Sequence, residues 1–108
     1  MGRGFSIAMS EDRYAQLEKE YASIEAALSS PTPPSPEERR RLAARHTELI
    51  AIVRRIRERR EGAKAKAEAE ALARGEDADM AALAREELAG LVPKLAALEE
   101  ALRRDLLP

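Results

Sequence analysis

Apolar residues recur along this chain at helical spacing, and no stretch alternates in the way of a strand. Tyr14, Leu17, Tyr21, Ile24 and Leu28 follow one another at steps of three and four. That spacing lays one apolar stripe along a first helix over about residues 10–29. Glu11 and Asp12 fall in its first turn, where the helix dipole favours negative charge. Residues 1–9 contain two glycines and show no period, and they read as a disordered leader.

The run Ser29-Ser30-Pro31-Thr32-Pro33-Pro34 stops the first helix, because its prolines remove backbone donors and fix φ. Ser35-Pro36-Glu37-Glu38 starts a second. Ser35 can accept from the Glu38 amide, Glu38 can reach back to Ser35, and Pro36 suits the first helical position. Leu42, His46, Leu49, Val53 and Ile56 continue the stripe, which then runs through Ala63 and Ala67 to about residue 74. Gly62 interrupts this helix at a cost of about 1 kcal/mol relative to Ala. The half beyond it is rich in Ala and poor in Leu, so it is expected to be the more mobile. Gly75 offers a left-handed cap.

A third helix is expected over about residues 78–106, capped by Asp77 or Asp79. Its stripe is Met80, Ala84, Leu88, Leu91, Leu95, Leu98 and Leu102, in register on both sides of Pro93. One helix with a kink near Pro93 is therefore favoured over two, and Gly90 eases the bend. Three amphipathic helices with short connections predict an all-α fold: an elongated, antiparallel, coiled-coil-like three-helix bundle over residues 10–108.

Composition supports this and narrows it. Charged residues make up 36% of the 108 residues and aromatics 3%, so the core must be thin and aliphatic. The net charge of -1 gives no reason for wholesale binding to nucleic acid or an anionic membrane. That balance is uneven along the chain. Residues 35–74 hold 12 basic and 7 acidic side chains, whereas residues 75–108 hold 4 and 8. No apolar run approaches the roughly 18 residues of a membrane span, and a cytoplasmic protein is expected.

Candidate chemistry is sparse. There is no cysteine and one histidine, so neither a thiolate nor a histidine-rich metal site can form, and no cofactor is expected. His46 lies on the apolar stripe, where a helix-interface role fits better than a catalytic one. Glu86-Glu87 and Glu99-Glu100 diverge around a helix and do not make an acid/base pair. With no nucleophile constellation and no Gly-rich phosphate loop, no enzyme and no small-molecule substrate are expected. The one concentration of charge is Arg54, Arg55, Arg57, Arg59 and Arg60. These arginines suit ion pairs to the acidic flanking helices, or a contact with RNA phosphates or another partner.

The order of particular residues goes further than their period. The stretch Arg13-Tyr14-Ala15-Gln16-Leu17-Glu18-Lys19-Glu20-Tyr21 resembles the opening helix of the bacterial peptide chain release factor 1 family. Ile24-Glu25-Ala26-Ala27-Leu28-Ser29-Ser30-Pro31 extends the likeness. So do His46-Thr47-Glu48-Leu49, Ala84-Arg85-Glu86-Glu87-Leu88 and Leu106-Leu107-Pro108. The resemblance covers residues 10–108 and is to that family's N-terminal helical domain. It implies a non-catalytic part of a termination factor, one that contacts the stalk base of the large ribosomal subunit, both protein and rRNA. In that family the stop-codon-reading and Gly-Gly-Gln parts follow this domain. Neither tripeptide occurs in this sequence, so a truncated domain is expected. Weak or no self-association is expected as well. The competing reading is a stand-alone helical interaction or oligomerisation protein.

Overall fold

The computed structural model describes the backbone of residues 2–107 and the side chains of residues 10–107. It is all-α, with α1 at Gly2–Leu28, α2 at Pro36–Ala73 and α3 at Ala78–Asp105. No strand occurs among the described residues. The chain divides into two compact units, Met1–Arg54 and Arg55–Pro108, and α2 runs through both.

In the first unit α1 packs antiparallel on the N-terminal part of α2. Ile24, Leu49 and Val53 form its core, flanked by the half-buried Leu17, Tyr21, Leu28 and Leu42. These are the positions that the spacing predicts. Leu49 and Val53 are 0% and 1% exposed, so removing either side chain would cost about 2–5 kcal/mol for a leucine and less for a valine.

The start of α1 differs from the expectation. Its backbone is helical from Gly2, where the sequence predicts a disordered leader over residues 1–9. Met1 lies outside the described residues. No proline interrupts residues 2–9, and extending an existing helix costs far less than nucleating one.

The connection to α2 ends as Ser35 caps the new helix. Its Oγ accepts from the Glu38 amide at 3.2 Å. The reciprocal half of the capping box is replaced by an ion pair, with the Glu38 carboxylate 3.6 Å from Arg41.

In the second unit α3 packs antiparallel on the rest of α2, with residues 55, 59 and 62 facing residues 105, 99 and 95. Ile56, Ala69, Ala81, Ala84 and Leu102 are buried. Two sequence expectations shift here. Ala63 and Ala67 are exposed, and the packed face runs through Gly62 and Ala69 instead. Met80 is 42% exposed, and Ala81 takes its place in the core. Alanine stands on several faces of both segments, so neither stripe has the contrast that would fix its phase.

The turn between them is also different from the left-handed cap expected at Gly75. Among the described residues no glycine has a positive φ. The Gly75 and Arg74 amides donate to the Leu72 and Ala71 carbonyls, so α2 ends by tightening to a 3₁₀-type turn. Asp77 then caps α3, its carboxylate accepting from the Asp79 and Met80 amides at 3.1 Å each. From there α3 runs unbroken through Pro93, as one helix.

Candidate functional site

The arginine cluster occupies consecutive turns of α2, and the structure gives its members different surroundings. Arg54 is exposed at the end of the first unit. The other four belong to the second. There Arg55 donates through Nη1 to Asp105 Oδ2, and Arg59 donates through Nε to Glu99 Oε1 at 2.9 Å. Both guanidinium groups are half-buried, so these pairs tie α2 to α3. Arg57 and Arg60 have exposed positions and are also engaged in interactions. Ion pairing to a flanking helix thus accounts for Arg55 and Arg59. The spacing of α2 alone could not name their partners, because those depend on the register of the antiparallel pair.

A second polar cluster, which the sequence reading did not single out, lies in the first unit. Arg45 donates to both carboxylate oxygens of Glu20, through Nε at 2.7 Å and Nη2 at 2.8 Å, and through Nη1 to Glu48 at 3.1 Å. The hydrogen bond from Arg45 holds the Glu20 carboxyl below the usual carboxylate range, and its charge adds to the effect. The same two carboxylates push the guanidinium still further above its ordinary value. A bidentate pair of this kind fixes geometry as well as charge.

His46 is an interface residue. Its ring stacks on Tyr21, with centroids 4.7 Å apart and planes inclined at 18°, and Nε2 lies 3.4 Å from Glu25 Oε2. Among the described residues no group of three or more His, Cys, Asp or Glu side chains could hold a metal ion. No helix among them is long and apolar enough to cross a membrane. Near the α2–α3 turn, Leu72, Met80 and Leu83 are exposed, the last at 60%. Glu76, Asp77 and Asp79 lie beside them in sequence and give that end an acidic rim.

What this arrangement offers is paired charges along helix seams and an exposed apolar end. Its family comes from comparison. A family model for the PCRF domain matches residues 17–108, from within α1 to the last residue. The chain belongs to the PCRF domain family. The match takes in the cores of both units of this PCRF chain, apart from Tyr14. The chain is also similar to Peptide chain release factor 1 of Bartonella bacilliformis, with 38% identity over 104 residues. That alignment covers 94% of this chain and 28% of the relative, so the PCRF chain spans just over a quarter of the relative's length. No solved structure matches it.

Proposed function

We propose that this PCRF-family chain acts in translation termination as the non-catalytic helical part of a peptide chain release factor. The observation that carries the reading is the family match over residues 17–108, joined to the name of the relative it resembles. The all-helical surface, with its paired carboxylates and guanidinium groups, supports a positioning role and supplies no reacting group. In this reading residues 10–108 form the domain, and it works in the cytoplasm.

The finer part of the proposal is a contact with the stalk base of the large ribosomal subunit, made through the full-length factor. Arg54, Arg57 and Arg60 are the candidate rRNA-facing members of the cluster, while Arg55 and Arg59 hold α3. The experiment is co-sedimentation of the 108-residue chain with isolated large subunits over a range of salt concentrations. Pelleting at low salt that weakens steeply as salt rises is the expected result, because each neutralised phosphate adds to the salt slope. A chain that stays in the supernatant with large subunits at low salt would overturn the ribosomal contact. Pelleting that is insensitive to salt would overturn the role of the arginines.

A further inference from the structure

We propose that the α2–α3 hairpin carries a hinge zone that crosses both helices within about a turn and a half, marked by Gly62 on α2 and by Gly90 and Pro93 on α3. A single weak point in one helix cannot bend a hairpin, because the straight partner splints it. Weak points within a turn and a half of one another can. Gly62 faces Leu95, and Pro93 and Gly90 follow within the next turn and a half of α3.

Each of the three residues weakens its helix for a different reason. Gly62 removes a side chain and adds backbone freedom in the interior of a 38-residue helix. Pro93 has no amide hydrogen to give the Ala89 carbonyl and crowds the turn before it. Gly90 has nothing within 4 Å of the place where a Cβ would stand, so no packing compensates for its freedom.

Burial marks the same zone. On α2 no residue is fully buried between Ile56 and Ala69, and on α3 none between Ala84 and Leu102. The large buried side chains, Ile56 and Leu102, lie on the near side of this zone, and the small ones, Ala69, Ala81 and Ala84, on the far side. Over this stretch Leu88, Leu91, Leu95 and Leu98 are only half-buried, and with one backbone hydrogen bond missing at Pro93 these are the features of a locally weak segment.

The approach of Leu95 to Gly62 within this zone suits a pivot. Leu95 Cδ2 sits 2.5 Å from the position of a Cβ on Gly62, so a flexible side chain rests against bare backbone. The hinge lets the far end of the hairpin, with the turn at residues 74–77 and the exposed Leu72, Met80 and Leu83, present itself over a range of angles.

The test is native-state amide exchange by NMR on the 108-residue chain, compared with the double variant Gly90→Ala/Pro93→Ala. In the natural sequence, α2 amides 61–66 should exchange at least about fivefold faster, relative to their intrinsic rates, than amides 54–57. The double variant touches only α3, yet it should slow α2 amides 61–66 several-fold, because repairing one helix splints the other. Uniform protection along α2 in the natural sequence would overturn the hinge. Slowing confined to α3 would overturn the coupling between the two helices. Spin labels at Glu58→Cys and Ala71→Cys, in a chain with no cysteine of its own, give an independent readout. Their distance distribution should be broad and should narrow in the double variant, and equal widths would count against the proposal.

Discussion

Leu95 fills the notch that Gly62 leaves in α2, with Cδ2 only 2.5 Å from where a Cβ would stand. An added methyl there forces Leu95 out of its place, whereas Gly90 has open space at the equivalent position. The two glycines should therefore answer the same substitution differently. Gly90→Ala is expected to stabilise by about 1 kcal/mol, the usual gain of Ala over Gly inside a helix. Gly62→Ala should gain little or nothing, because repacking Leu95 offsets the helical preference. Thermal melts check this, with a rise of about 4–8 °C expected for Gly90→Ala and none for Gly62→Ala.

The Glu20–Arg45 pair makes the first unit sensitive to acid. The folded-state carboxyl titrates below its unfolded value, so its contribution is complete above the ordinary carboxylate range. It is lost as pH falls through the lowered folded value. Both side chains are 40% exposed, and solvent screening keeps the contribution small. Glu20→Gln should cost about 0.5–1 kcal/mol at neutral pH. The deficit should vanish once both proteins are measured at a pH where the carboxyl is protonated. Urea unfolding across that pH range would show a constant deficit if the pair contributed nothing pH-dependent.

Arg55 and Arg59 should separate from Arg54 by phenotype. Arg55→Ala and Arg59→Ala each remove a link between α2 and α3, and a loss of up to about 1 kcal/mol of stability is expected for each. Arg54→Glu should leave the melting temperature within about 2 °C of the natural chain, as exposed substitutions usually do. It should still weaken co-sedimentation with large subunits. An Arg54→Glu chain that pellets as the natural one does would remove Arg54 from the proposed contact.

Asp77 makes two hydrogen bonds at the start of α3 and brings negative charge to the positive end of the helix dipole. Asp77→Ala is expected to destabilise by about 1–2 kcal/mol, and Asp77→Asn by less, since it keeps an acceptor and loses only the charge. Equal losses for the two variants in chemical denaturation would mean that the charge carries the effect.

The legibility of the sequence followed the contrast between residue types. In α1 and the first half of α2, bulky residues stand against charged ones, and the stripe from Tyr14 to Ile56 lies where its spacing puts it. Beyond Ile56, alanine occupies inner and outer positions alike, and Gly62, read as a mere interruption, turned out to lie on the packed face. The caps were readable because Ser35 and Asp77 act on amides two or three residues away. The partners of Arg55 and Arg59 were not, since they lie 50 and 40 residues off and depend on the register between helices. The Glu20–Arg45 clasp escaped for the same reason.

Among the described residues the interior holds no buried polar or charged side chain. Such an interior checks a newcomer for volume and shape and asks nothing of its hydrogen bonding. Exchanges among Ile, Leu, Val and Met at Ile24, Leu49 or Ile56 should therefore be cheap, at under about 1.5 kcal/mol when volume is kept. Over many generations the identities inside such a chain can wander while its helices stay in place. The positions that ask for a particular chemistry and not only a volume are then found at the margins: a serine and an aspartate that begin helices, and arginines whose partners lie across a seam.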